Sequence, residues 1–288
     1  MSTFPASDGT SLHEAIWPAK GTPIGTVVIL HGYGEHIGRY EHVAAALAEA
    51  GWSVRGMDLR GHGQSAGARG LCMRFGEYTD DAGLLIARAR QALPDKPLFL
   101  LGHSFGGLIA AKVALDRSSE IAGMVVSSPY YKLKLHVPKV KALAGKLMSK
   151  IFPGLALPSG LKGADVARDP EIVALYDRDP LNNKKATARW FTETNDAQAE
   201  LLARAPEIKT PSLFLVGGDD KIADSKRAEE VFARLGSADK TIHVLAGQYH
   251  EIFNEIMETR TKNLATMVAW LKDRHASATA AELRAQGS

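Results

Sequence analysis

The sequence predicts an α/β architecture: a mostly parallel central sheet with helices on both faces and an inserted, mainly helical cap. Three observations predict it. Short apolar runs of strand length alternate with segments of helical periodicity, the pattern of a parallel sheet covered on both sides. One run, Leu98–Leu101, leads into Gly102-His103-Ser104-Phe105-Gly106, which fits Gly-x-Ser-x-Gly, and an apolar helical run over Leu108–Val113 follows it. From Pro129 the alternation gives way to a lysine-rich amphipathic segment, and core-like strands resume at Ser212. The expected division is a core of residues 1–128 and 195–275, a cap over 129–194, and a loose tail from 276 to 288.

At 288 residues the chain is long enough to bury a large core without staples. Cys72 is the single cysteine, so no intrachain disulfide and no cysteine cluster for metal is expected. A net charge of +3 is too small to argue for nucleic acid. The first twenty residues lack an apolar signal core, and no run approaches the roughly 18 apolar residues of a membrane span. A cytoplasmic protein, at most peripheral at membranes, is the expectation.

Asp8-Gly9-Thr10 reads as a hairpin turn between two short β-like stretches. Thr26–Leu30 is a buried strand by length and β-branching. The Gly-rich stretch His31-Gly32-Tyr33-Gly34-Glu35-His36 follows it. A loop of this kind after a central strand can aim backbone N–H groups into a site, and Tyr33 N–H is the candidate; a plain tight turn is the other reading. His31 and His36 lack a third metal ligand at suitable spacing. Glu41–Ala50 is an amphipathic helix ended by Gly51, and Trp52–Met57 is the next strand. Asp58-Leu59-Arg60-Gly61-His62-Gly63 reads as a braced loop, with His62 as a competing base. Tyr78–Leu93 is a helix ended by Pro94, and Gly123–Ser127 is another apolar strand.

Residues 121–164 contain no Asp or Glu but seven lysines, Lys132, Lys134, Lys139, Lys141, Lys146, Lys150 and Lys162. Val140, Leu143, Leu147 and Ile151 recur at helical spacing beside Lys139, Lys146 and Lys150, and Pro153-Gly154 stops that helix. Such an element suits either an ordinary cap helix with solvated lysines or one resting on an anionic lipid surface. Residues 165–194 read as polar and irregular, with a turn at Asp179-Pro180-Leu181-Asn182. Ala197–Ala205 reads as a helix with Asp196 as N-cap. Strands at Ser212–Val216 and Thr241–Leu245 flank a helix at Ser225–Leu235, and Met257–Leu271 closes the chain.

The chemistry gathers at strand ends. Gly-x-Ser-x-Gly between a strand and a helix marks a sharp turn that lifts the serine above the sheet, and its glycines are needed because backbone comes too close for a Cβ. A second match, Gly63-Gln64-Ser65-Ala66-Gly67, has neither strand before it nor helix after it, so Ser104 is the candidate nucleophile and Ser65 a loop residue. Phe105 N–H, at the start of the helix, would face an oxygen that becomes negative. A serine hydroxyl needs a base, a histidine can supply it near neutrality, and a carboxylate fixes the histidine's tautomer. His250 follows the last strand. Asp219 and Asp220 both follow the strand before it, and chain order alone leaves both open as the acid. In a parallel sheet the carboxyl ends share one edge, so all these positions converge there.

These residues carry a resemblance. His31 to His36 with Gly38-Arg39-Tyr40, Asp58 to Gly63 with Ser65 and Gly67, Gly102 to Gly107, Asp220 to Lys226 and Gly247-Gln248-Tyr249-His250 resemble the monoacylglycerol lipase and lysophospholipase branch of the α/β-hydrolases. The resemblance covers about residues 10–273 and is weakest over 130–200, where that family carries a variable cap. It implies an α/β-hydrolase fold, a Ser104–His250–Asp220 triad, an oxyanion hole from Tyr33 and Phe105 N–H groups, and no cofactor or metal. Asp224 is then the cap of the following helix. Tyr33 stands where the mammalian lipases carry a small residue, which implies a narrowed or tilted pocket. The implied activity is hydrolysis of a monoacylglycerol or similar single-chain lipid ester, with lysophospholipids and short esters as alternatives and transient membrane contact through the cap. With every triad position filled, a non-catalytic binding protein is disfavoured, whereas a peptidase or acyltransferase would reuse the same residues. An epoxide hydrolase or dehalogenase would need a carboxylate where Ser104 stands.

Overall fold

Eight strands form one sheet in the order β1-β2-β4-β3-β5-β6-β9-β10. The computed structural model describes residues 2–135 and 139–286. The chain opens with an antiparallel hairpin of β1 (Ser2–Pro5) and β2 (Ser11–Trp17). Its turn is closed by Thr10 N–H donating to the Asp8 carboxylate at 3.0 Å. There follow β3 (Gly25–Leu30), α1 (Glu41–Glu49), β4 (Trp52–Met57), α2 (Gly76–Ala92), β5 (Leu98–His103), α3 (Phe105–Asp116) and β6 (Gly123–Ser127). The chain then leaves the sheet for α4 (Lys139–Ile151), β7 (Ala156–Pro158), α5 (Gly163–Val166), α6 (Pro170–Arg178), β8 (Lys185–Thr187) and α7 (Ala188–Arg204). It returns as β9 (Ser212–Gly217), α8 (Ser225–Arg234), β10 (Lys240–Leu245) and α9 (Met257–Gln286).

From β4 to β10 every neighbouring pair in the sheet is parallel, and only β2 runs against β4. The central strands β3, β5, β6 and β9 are buried on both faces, so they read as largely apolar runs, and alternate residues serve opposite cores. In β3, Val27 and Ile29 join Leu47 of α1 and Trp270 of α9 in one buried cluster. Val28 and Leu30 join Leu85 of α2 and Leu108 of α3 in the other. Each fully buried side chain of this size contributes about 1.5–3 kcal/mol, so the two layers clamp the sheet from both sides.

The region 165–194 departs from the irregular reading. Asp169 caps α6 by accepting from Glu171 N–H at 3.0 Å, with Pro170 at the first helical position, a start signal set in a polar stretch. Helix α7 begins nine residues before the expected start at Ala197, capped by Thr187 rather than Asp196. Its early turns carry polar residues on an exposed face, which dilutes the apolar periodicity. Short β7 and β8 pair antiparallel within the cap. Of the lysine-rich stripe, the side chains of Val140 and Leu143 lie outside the described residues, whereas Leu147 and Ile151 are exposed at 58% and 56%. The last helix continues past Leu271, so the backbone of the expected tail is helical as far as Gln286; residues 287–288 lie outside the described residues.

Candidate active site

The turn between β5 and α3 is one residue long. Ser104 holds φ +51° and ψ −114°, a left-handed conformation that a non-glycine residue keeps only when its surroundings impose it. Backbone crowding imposes it here. A Cβ on Gly102 would lie 2.4 Å from Gly106 O, and one on Gly106 would lie 2.0 Å from Leu30 O. Ser104 N–H donates to Ser127 O at 2.9 Å, fixing the turn against β6. Neither the Phe105 nor the Tyr33 amide makes a hydrogen bond among the described residues. The Phe105 amide sits at the positive end of α3, where an anion is favoured.

Asp220 follows β9 and His250 follows β10, which brings both to the carboxyl edge of the sheet. His250 Nδ1 lies 2.6 Å from Asp220 Oδ2. The other carboxylate oxygen accepts from Ile222 N–H at 2.7 Å and Ala223 N–H at 2.9 Å. Burial alone would raise the Asp220 pKa; the His250 ring and these hydrogen bonds outweigh it and hold the carboxyl below its ordinary range. Burial alone would lower the His250 pKa, and the Asp220 charge outweighs that and raises it. Asp219 is exposed, and Asp224 caps α8 by accepting from Lys226 and Arg227 N–H groups. The geometry thus separates Asp219 from Asp220, which chain order left together, and Asp224 stands at the helix cap as expected. Ser104 and His250 line one cavity without a hydrogen bond between them, as is common before a substrate is bound.

Three further histidines are held by partners in the fold. His31 bonds Gly32 O through Nδ1 at 2.7 Å and accepts from Leu59 N–H through Nε2 at 2.9 Å. His36 meets Asp179 of the cap at 2.8 Å. His62 is buried outside the cavity, with Nδ1 on Arg60 O at 3.0 Å. Ser65 braces the loop, donating to Asp58 O at 2.5 Å and accepting from His13 N–H at 2.9 Å. His103, beside Ser104, lies with its ring 4.8 Å from that of His250; burial and that neighbour push its pKa down to about 4, so it stays neutral.

A buried charge network under the site has no forerunner in the sequence reading. Arg39 bonds Glu35 at 2.6 Å and holds Glu251 with two bonds of 2.6 and 2.7 Å. Glu35 also accepts from Gly32 N–H at 2.6 Å and from the Tyr40 hydroxyl at 2.7 Å. Burial would raise the Glu35 pKa, but the Arg39 charge prevails and keeps it low. The network ties the loop that carries Tyr33 to the residue after His250. The i, i+4 spacing of Glu35 and Arg39 was a visible signal; the long-range partner Glu251 was not.

Ser104 opens into a cavity of about 130 Å³. Its polar end holds Glu35, His103 and Glu251, and its other wall is apolar and partly supplied by the cap, with Leu161, Trp190 and Phe191. A serine, a histidine held in one tautomer by a buried carboxylate, and an apolar-lined cavity flanked by the Tyr33 loop and the start of α3 are suited to acyl transfer.

A family model described as Serine aminopeptidase, S33, matches residues 21–257. The chain is 33% identical over 277 residues to a monoglyceride lipase of Mus musculus, covering 94% of this chain and 90% of that protein. It is 35% identical over 243 residues to phospholipase YtpA of Bacillus subtilis, covering 83% and 93%. It spans 29% of a longer abhydrolase domain-containing protein of Dictyostelium discoideum, at 33% identity. The crystal structure of a monoacylglycerol lipase from Paleococcus ferrophilus superposes with a TM-score of 0.83 at 33% identity, covering 91% of this chain and 99% of that one.

Proposed function

The chain belongs to the family described as Serine aminopeptidase, S33, within the α/β-hydrolases, and from that premise we propose that it hydrolyses single-chain lipid esters, foremost monoacylglycerol to fatty acid and glycerol. The coarse class is a serine hydrolase acting on carboxylic esters. In the proposed reaction Ser104 attacks the ester carbonyl while His250 Nε2 takes its proton, and Asp220 stabilises the imidazolium that forms. The Tyr33 and Phe105 amides hold the oxyanion, each worth about 3 kcal/mol of transition-state stabilisation. His250 returns the proton to the departing alcohol, then activates water against the acyl-enzyme, and the fatty acid leaves. The observation that carries this reading is the buried His250–Asp220 pair facing the same apolar-walled cavity as Ser104.

The cap, residues 129–194, supplies the apolar cover for the acyl chain and, in this reading, the contact with lipid surfaces. Exposed Leu147, Ile151 and Phe152 beside exposed Lys146 and Lys150 support that contact. Among the described residues no helix is long and apolar enough to cross a membrane. The same lysines and the phospholipase relative favour lysophospholipid hydrolysis as the second reading.

The test is hydrolysis of p-nitrophenyl esters of rising chain length, monolauroylglycerol and a lysophosphatidylcholine by the purified chain, with Ser104→Ala as control. Preference for monolauroylglycerol is expected, with a loss of about a million-fold in turnover in the variant. Preference for lysophosphatidylcholine selects the second reading, and activity retained in Ser104→Ala removes the nucleophile assignment.

A further inference from the structure

In the chemistry above only the amide of Tyr33 takes part, yet its side chain is held at every edge. The ring lies on Trp190 with centroids 3.7 Å apart and meets Phe105 and His62 edge-on at 6.0 and 4.9 Å. The hydroxyl donates to Lys185 O of β8 at 2.9 Å, with Gly70 O also in range at 3.3 Å. Gly70, at φ +63°, makes room for it: a Cβ there would come within 2.1 Å of the hydroxyl oxygen. The backbone beside Tyr33 is tied to the same stretch of the cap. Asn183 N–H donates to Gly34 O at 2.8 Å, and a Cβ on Gly34 would lie 2.7 Å from Asn183 O. Thr187, at the end of β8, donates to Gly70 O at 2.8 Å.

We infer that the Tyr33 side chain is a positioning residue, a strut that joins the oxyanion loop to cap strand β8 and adds the seated cap to the groups that hold the Tyr33 amide in place. The inference rests on the proposed role of that amide as an oxyanion donor. Tyr33 stands between Gly32 and Gly34, so its backbone has little stiffness of its own. An oxyanion donor acts only over a narrow range of distances, and a misplacement of about 1 Å costs on the order of a hundredfold in rate. Restraint from the side chain therefore reaches the chemistry through the amide. Lifting the cap carries away Lys185 O and Asn183 N–H together, and the loop loses its outer anchors in the same movement.

The test is Tyr33→Phe, which keeps the ring and deletes the hydroxyl, assayed with p-nitrophenyl butyrate and by the rate of labelling with a fluorophosphonate. The expected result is a fall of about tenfold in kcat and in labelling rate, with KM within about twofold and an unchanged melting temperature. Gly70→Ala, which pushes on the hydroxyl from the other side, should lower kcat alone and lower it less in the Tyr33→Phe background. Unchanged kcat and labelling in Tyr33→Phe, with wild type active and Ser104→Ala dead, would overturn the strut and leave the proposed function standing. A change in KM alone would make the ring a pocket wall and overturn the strut. A wild type inert to both ester and fluorophosphonate would overturn the function and the strut together.

Discussion

His250 Nδ1 and Asp220 Oδ2 lie 2.6 Å apart, and both residues are buried. The bond places the ring proton on Nδ1 and leaves Nε2 free for the role of base in the proposed reaction. It also separates two adjacent acids, because Asp219 is exposed and makes no such contact. Asp220→Asn should lower kcat by about ten-thousand-fold. Asp219→Asn should lower it by less than about threefold, as for a surface substitution. Steady-state kinetics on one soluble ester checks both, and equal losses would contradict the assignment.

The same bond sets the direction of the pH profile. His250 must be neutral to accept the Ser104 proton, and the Asp220 charge raises its pKa above 6.5 despite burial. In wild type, kcat/KM should therefore climb with rising pH along a limb centred above 6.5. In Asp220→Asn the largest supporting charge is gone, only the smaller pull of Glu251 and Glu35 opposes burial, and the residual activity should show its limb at lower pH. A limb that stays in place in the variant would assign it to another group.

Arg39 balances two buried carboxylates, with side chains of Arg39, Glu35 and Glu251 exposed by only 10%, 4% and 5%. Removing the cation alone, as in Arg39→Met, should cost about 3–5 kcal/mol of stability. Adding Glu35→Gln and Glu251→Gln should recover part of that loss, since no uncompensated charge remains. Urea unfolding of the single and triple variants measures the difference, and a triple variant less stable than the single would contradict this account.

The exposed cap residues predict a separation of activities. Replacing Leu147, Ile151 and Phe152 together by Ser should weaken binding to phosphatidylglycerol vesicles at least about tenfold, since each removes buried apolar area from the lipid interface. Hydrolysis of p-nitrophenyl butyrate should stay within about twofold, because none of the three lines the cavity. Co-sedimentation and a soluble-ester assay read the two effects independently.

The centre of the sheet was legible because β3, β5, β6 and β9 are buried on both faces. Gly123–Ser127 begins and ends where its apolar run does, and Trp52–Met57, which also carries Ser53 and Arg55, keeps its expected bounds. Ser104 and His250 were legible because each stands just past such a run. Chain order left Asp219 and Asp220 open and the family resemblance pointed to Asp220; the fold supplies the physical reason, since the turn of the chain after β9 buries Asp220 against His250 and leaves Asp219 exposed. The cap was less legible. In α6 the apolar residues Ile172–Tyr176 form one short unbroken run, which does not tell helix from strand, and cap residues such as Asp169 and Thr187 signal a start only once the helix after them is known. The bond from Arg39 to Glu251 joins residues 212 apart, and pairing at that range leaves no local pattern.

Strands β6 and β9 are direct neighbours, with Met124 opposite Ser212, although the whole cap lies between them in the chain. The excursion therefore leaves at the carboxyl end of β6 and rejoins at the amino end of its parallel neighbour β9, a crossover connection. Lengthening or shortening what lies between them costs only slowly growing loop entropy and leaves the register of the sheet untouched. Heredity can thus revise the cover without rewriting the engine beneath it. Where Tyr33 ties the two together, a borrowed cover would have to bring its own acceptor for that hydroxyl.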